Sequence, residues 1–253
     1  SVEVSPALAH DTEGTIEAAR ELSRNLALDN LYVKVPATAE GIEAIRVLTS
    51  EGIPVNVTLI FGLERYADVI EAYLSGLEAH KGTLSHISSV GSFFISRVDT
   101  EVDRRLTEVG TDDALDLLGT AAITQGKLAY QLAMTAFSGS RWDALEERGA
   151  KLQRPLWAST STKNPEYPDT YYVDSLIGPN TVNTLPEATL EAFDDHGNLV
   201  STLGASPEAD QKRWEQLGEL VDLDEVSAKL EAEGVASFAT SFDEVLATLA
   251  ERV

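Results

Sequence analysis

The stretch Leu31-Tyr32-Val33-Lys34-Val35-Pro36-Ala37-Thr38 sets a lysine in the middle of an apolar, β-prone run. With the alternation of a strand, Tyr32, Lys34 and Pro36 share one face while Leu31, Val33 and Val35 cover the other, so the lysine points away from the side on which helices pack. An ordinary lysine, with a pKa near ~10.4, is neutral in only about one molecule in a few thousand at pH 7. Burial lowers that value, by roughly 3–5 pH units at the extreme, and frees the amine that attacks a carbonyl to give a Schiff base. A strand-end lysine whose ammonium reaches solvent is the competing reading of the octapeptide taken alone.

The flanking chain repeats the pattern. Upstream, Ser1-Val2-Glu3-Val4-Ser5-Pro6 alternates like a strand, with no initiator methionine or leader, as though the chain begins inside a fold; an amphipathic helix then covers Thr12 to Leu26. Downstream, a helix over about residues 40–51 carries Ile42, Ile45 and Leu48 and stops at Gly52. Residues 53–60 read as a strand with Val55, Val57 and Leu59 on one face and Asn56 and Thr58 on the other. A helix over about 63–77 follows, with Tyr66, Val69, Ile70, Tyr73 and Leu74 along one side, and then a strand over 87–97 with Ser92, Phe94 and Ser96 on one face.

Two or three helices are expected between residues 101 and 148, one of them long and Ala- and Leu-rich at about 113–137. Residues 154–160 read as a strand running into the polar loop 161–165. A helix at about 169–177 ends at Gly178-Pro179, residues 180–185 make a short strand, and 187–253 is helical apart from Gly and Pro breaks. Strands alternating with helices imply a parallel sheet, and six such strands suit a βα-barrel better than a doubly wound sheet. No GxGxxG or P-loop pattern marks a nucleotide-binding turn, and no internal repeat or interdomain linker divides the chain.

Lys+Arg 19 against Asp+Glu 42 gives a net charge of -23, which argues against nonspecific binding to nucleic acid or anionic membranes and requires a local cationic patch for any anionic substrate. There are no cysteines, so thiolate chemistry and disulfides are excluded. His10, His80, His86 and His196 show no metal-ligand spacing, and no metal site is expected. The sequence contains no apolar run of membrane-spanning length, and a cytoplasmic setting is expected.

If the strands close around one axis, Glu3, Lys34, Asn56, Thr58 and Ser92 converge on one pocket. The lysine amine would attack a ketose carbonyl, Asn56 would hydrogen-bond a substrate hydroxyl, and Glu3 with Thr58 would hold a proton-moving water. Ser92 and Phe94 taken singly read as ordinary fillers of a barrel layer. Arg97 and Lys163 fall just beyond strand ends, beside Ser159 and Ser161, and together would clamp a phosphate through a guanidinium fork, an ammonium and hydroxyls. The bland alternative pairs Arg97 with Asp99 or Glu101 on the surface.

These segments, YVKVPAT around Lys34, PVNVTLIF around Asn56 and Thr58, VGSFFISRVD at 90–99, RPLWASTSTKNP at 154–165 and GPNTVNTLP at 178–186, resemble transaldolase, most closely its longer bacterial forms. The resemblance covers essentially the whole chain. It implies an α/β fold, a (β/α)8 TIM barrel of the class I aldolase type with extra helices, N-terminally truncated here, so that residues 1–253 form a single incomplete barrel domain. The implied reaction moves a dihydroxyacetone unit from sedoheptulose 7-phosphate to glyceraldehyde 3-phosphate in the non-oxidative pentose phosphate pathway, with no cofactor.

By motif position, Lys34 resembles the Schiff-base lysine, Glu3 and Thr58 the groups that order the catalytic water, and Asn56 and Ser92 the binders of substrate hydroxyls. Arg97 and Ser159 resemble phosphate binders. Ser161 stands where many relatives have an arginine, whose charge Lys163 takes over. The six strands correspond to the third to eighth of the family, and the first two βα units, one bearing an acid/base aspartate, lie outside the sequence. Expected partners are therefore sugar phosphates and either a complementing N-terminal fragment or a second copy joined through open barrel edges. A fructose 6-phosphate aldolase-like activity and a noncatalytic fragment or assembly module are the alternatives.

Overall fold

In the computed structural model, which describes residues 1–251, the chain runs β1 (Val2–Glu3), α1 (Thr12–Leu26), β2 (Val33–Pro36), α2 (Ala39–Ser50), β3 (Val55–Ile60), α3 (Leu63–Ala79), β4 (Ser89–Phe94) and α4 (Ser96–Val109). It continues through α5 (Asp112–Leu115), α6 (Ala121–Ala136), α7 (Gly139–Glu146), β5 (Arg154–Ala158), α8 (Tyr171–Ser175), β6 (Val182–Asn183), α9 (Glu187–His196), α10 (Pro207–Leu220) and α11 (Leu223–Ala250). Every neighbouring pair of strands is parallel, and the sheet order β1-β2-β3-β4-β5-β6 follows the sequence. This is the α/β order in which a βα-barrel adds its strands. Among the described residues β1 and β6 are the two edges.

Local signals set the helix starts. Asp11 caps α1 by accepting the Gly14 N–H (2.9 Å), and Thr38 caps α2 by accepting that of Gly41 (3.1 Å). The apolar face of each strand meets its helices: Val33 and Val35 join Ile45 and Leu48 of α2 in the core, all fully buried. Each such side chain contributes about 1.5–3 kcal/mol by leaving water. Between the sheet and α3, Tyr66, Phe93 and Trp157 form an edge-to-face row with ring centroids 5.6 and 6.4 Å apart.

Three sequence expectations change. The strand expected to reach residue 97 ends at Phe94, because Ile95 turns into helical backbone and Ser96 opens α4; Arg97 is therefore on a helix, and Ser96 leaves the strand face. The helix expected at 113–137 is split into α5 and α6 by a turn in which Gly119 takes a left-handed φ of 71°. The alternation of β3 fails at Leu59, whose φ of 60° coincides with a register shift between Val57 and Ile60.

The carboxylate of Asp99, one turn into α4, is 1% exposed and accepts the Ala122 N–H (2.7 Å) and the Tyr172 hydroxyl (2.9 Å). Burial pushes this carboxyl up to about 7; the Ala122 hydrogen bond opposes the rise, and the nearby charge of Asp103 adds to it. Its native value lies above its unfolded one, so this group's contribution to stability is complete below pH about 4 and is lost as pH rises towards 7. Asp99→Asn should therefore gain stability over the parent as pH rises from 4 to 7 and hold that gain above it, by up to about 4 kcal/mol, in urea titrations at several pH values. Phe93→Ala, which empties the middle of the aromatic row, should lower unfolding free energy by about 3–5 kcal/mol in the same titration at neutral pH.

Candidate active site

The register of the sheet assembles the site. Glu3 is opposite Lys34 across β1 and β2, and Lys34 is opposite Asn56 across β2 and β3. Since facing residues in a parallel ladder share a face, a carboxylate, an amine and a carboxamide stand in a row, pointing away from the helices. They line one cavity of about 790 Å³ together with Thr58, Ser92, Phe94, Ser159, Ser161 and Lys163. Nine of the ten residues singled out from the sequence thus meet at one place; Arg97 lies outside the cavity wall.

The Lys34 ammonium is 3.5 Å from a Glu3 carboxylate oxygen, and each side chain keeps a quarter of its surface accessible. The deep burial expected for the lysine is thus only partial: the amine looks into the cavity, with one side open to it. Burial raises the Glu3 carboxyl, while the charge and hydrogen bond of Lys34 hold it down, and the burial effect is the larger. A carboxyl so placed passes a proton more readily than an ordinary surface glutamate. On the wall of the same cavity, the buried hydroxyl of Thr58 has no hydrogen-bond partner. A fully buried orphan hydroxyl at a cavity wall is the kind of group a water or substrate oxygen satisfies.

Next along the wall, the Ser92 hydroxyl donates to the Asn56 carbonyl oxygen (2.7 Å), which fixes the carboxamide with its NH2 group outward; that group donates to the Ser1 hydroxyl (3.0 Å). Ser92 thus orients Asn56 as well as lining the cavity. Phe94 packs its ring 5.0 Å from Phe61 and forms an apolar side of the same space.

Ser159, directly after β5, has a left-handed φ of 56° and is tied to the start of α4: its carbonyl accepts the Ser96 N–H (3.0 Å), and the two hydroxyls are 3.0 Å apart. Non-glycine residues are rarely found in this conformation, and here it turns the chain over the cavity mouth. The Lys163 ammonium donates to the Ser161 hydroxyl (2.6 Å) at the same rim. The Arg97 guanidinium lies over the Phe94 ring, 5.6 Å from its centroid. Neither expected acidic partner takes Arg97: Asp99 is buried against α6 and α8, and Glu101 is bound to Arg104, Arg105 and Lys229. Among the described residues Arg97 and Lys163 are in no ion pair.

Several contributors escaped the sequence reading. Phe238, on α11, places its ring 4.7 Å from the Lys34 ammonium and 6.3 Å from Phe94. The helix that carries it is anchored by Lys229–Glu101 (3.2 Å), Arg65–Glu231 (3.4 Å) and Arg105–Glu225, and by the Ser227 hydroxyl donating to the Phe61 carbonyl (3.1 Å). Gly234 lets it come close, since a Cβ there would be 2.9 Å from Leu59 and 3.3 Å from Phe61. A lone phenylalanine in a C-terminal amphipathic helix carries no local mark of this role. Thr184 and Leu185, just after β6, also line the cavity; they fall inside the GPNTVNTLP segment without having been singled out.

Residues 1–249 match the family profile described as Transaldolase/Fructose-6-phosphate aldolase. The chain is 49% identical over 251 residues to the transaldolase of Mycolicibacterium smegmatis, covering 97% of this chain and 68% of that protein. It is 49% identical over 257 residues to transaldolase 1 of Streptomyces avermitilis (99% and 68%) and 50% identical over 260 residues to the transaldolase of Saccharopolyspora erythraea (100% and 70%).

Proposed function

Since the chain belongs to the transaldolase/fructose-6-phosphate aldolase family, we propose that its fold performs the transaldolase reaction, moving a dihydroxyacetone unit from sedoheptulose 7-phosphate to glyceraldehyde 3-phosphate. Lys34 is the nucleophile in this reading. Its amine adds to the ketose carbonyl and the carbinolamine loses water to give an imine. The bond between the α and β carbons then breaks, the β-hydroxyl proton passing to the acid/base aspartate that the resemblance assigns to the βα units outside this sequence. This releases erythrose 4-phosphate and leaves an enamine that attacks the acceptor aldehyde, and hydrolysis frees the amine and fructose 6-phosphate. Glu3 and the orphan Thr58 hydroxyl hold the water that carries protons between carbinolamine and imine. Asn56, oriented by Ser92, binds a hydroxyl of the bound ketose, and Phe94 with Phe238 shields the imine carbon from bulk water.

The single observation that carries this reading is the row Glu3, Lys34, Asn56, set by strand register on the wall of one cavity. The phosphate end is assigned to Ser159, Ser161 and Lys163 at the rim and to Arg97, which lies on α4 outside the cavity wall, over the Phe94 ring. The names of these relatives favour transaldolase over the aldolase that releases free dihydroxyacetone. The open side of the sheet between β1 and β6 is, in the same proposal, where further βα units close the barrel, as this chain covers 68–70% of those relatives. A cytoplasmic setting and a place in the non-oxidative pentose phosphate pathway belong to this reading too.

Borohydride reduction in the presence of fructose 6-phosphate, followed by intact mass and peptide mapping, tests it. A three-carbon adduct on Lys34, absent from Lys34→Met, is the expected result. An unmodified folded chain, or an adduct on another lysine, would overturn the assignment of the nucleophile.

A further inference from the structure

The rim loop between Ser159 and Tyr172 is tied at both ends to one helix. At its start, Ser159 is bound to Ser96 through backbone and hydroxyl, and the Thr160 hydroxyl donates to Asn183 (2.8 Å). At its end, three tyrosines stack with centroids 5.4 and 5.3 Å apart and send their hydroxyls inward. Tyr172 donates to Asp99 (2.9 Å), Tyr167 to Asp103 (2.8 Å) and Tyr171 to the Gly119 carbonyl (2.9 Å).

Asp99 and Asp103 are one turn apart on α4, so both face the same way. Their other oxygens are taken by backbone N–H groups of the α5–α6 turn and of α6, from Gly119 (2.8 Å) and Ala122 (2.7 Å). No step of the proposed chemistry uses these two carboxylates, yet Asp99 is fully buried and both carboxyls are pushed up by that burial. Between the two ties, among the described residues, 161–166 bond only within the loop: Lys163 to Ser161, the Glu166 N–H to Asn164, the Thr162 hydroxyl to the Pro168 carbonyl (2.8 Å) and the Tyr167 N–H to the Asn164 carbonyl (3.1 Å).

We propose that Tyr167 and Tyr172, seated on Asp103 and Asp99, are positioning residues that hold the loop carrying Ser161 and Lys163 in register with Arg97, so that α4 sets the spacing of the anion cradle. The geometry favours this because Arg97 is two residues before Asp99 on the same rigid helix. A short loop fixed to that helix at both ends has little freedom to move its cation away from the guanidinium, whereas one fixed only at Ser159 swings on a hinge. Hydroxyl groups seated on carboxyls that are themselves held by backbone N–H groups serve as such pins. The inference rests on the reading of Arg97, Ser159, Ser161 and Lys163 as a phosphate site.

Two measurements on the same chain separate the two ideas: the affinity for inorganic phosphate, by calorimetry, and the borohydride trapping of dihydroxyacetone on Lys34, which needs no phosphate contact. Tyr167→Phe, at the half-buried Asp103, and the double variant Tyr167→Phe/Tyr172→Phe should weaken phosphate binding, the double by about tenfold, with dihydroxyacetone trapping unchanged. Phosphate affinity equal to the parent's in both variants, while Arg97→Gln weakens it, would overturn this inference alone. A parallel fall in phosphate binding and trapping would overturn it as well, by assigning the tyrosines to general structure. If Arg97→Gln and Lys163→Met leave phosphate binding as it was, the phosphate site itself is misplaced and the inference falls with it.

Discussion

Parallel pairing of β1, β2 and β3 is the constraint on which the rest depends, because it alone puts Glu3, Lys34 and Asn56 abreast. A slip of one residue in either ladder would turn every side chain of a strand to the opposite face, sending Lys34 into the helix layer and Val33 or Val35 into the cavity. The buried valines prevent that slip. Their fit against Ile45 and Leu48 thus specifies the chemistry on the other side of the strand, without touching it.

Strain is gathered at the strand ends around the same cavity. Leu59 and Ser159 both hold left-handed backbone, a conformation that costs a non-glycine residue about 1–2 kcal/mol. Each has compensation in view: Leu59 packs under α11 at Gly234, and Ser159 exchanges hydrogen bonds with Ser96. The two turns do related work. One brings the helix carrying Phe238 down towards Lys34, and the other folds the polar loop after β5 over the mouth.

Alternation made Lys34, Asn56 and Thr58 legible in the sequence, since three polar residues on the interior face of otherwise apolar strands have few bland explanations. The helix from Thr12 to Leu26 was legible from its amphipathic period, while the capping role of Asp11 emerges only in the structure. Where the sequence misled, a distant contact had decided the outcome. The end of β4 at Phe94 is set by the end of β5 and the residue after it: the Ala158 and Ser159 carbonyls accept the N–H groups of Ile95 and Ser96 and draw the chain into α4. The break before α6 is held by carboxylates of α4, which no local pattern around Gly119 announces. Phe238 reaches Lys34 from two hundred positions away, and helical periodicity reports a face without naming what lies beneath it.

The distribution of charge bears on encounter rates. Arg20, Arg46, Arg104, Arg105 and Arg141 are all engaged by carboxylates, so they add little positive field beyond their own neighbourhoods, while the chain as a whole carries -23. A phosphate dianion diffusing inward is repelled at long range, and the proposed cradle at Arg97 and Lys163 attracts it only at short range. With a Debye length of about 8 Å at physiological ionic strength, salt erases the repulsion sooner than it erases the attraction at contact. Moderate ionic strength therefore speeds the approach of sugar phosphates to this surface, the reverse of what a basic, steering enzyme shows, until added anions begin to compete at the rim itself.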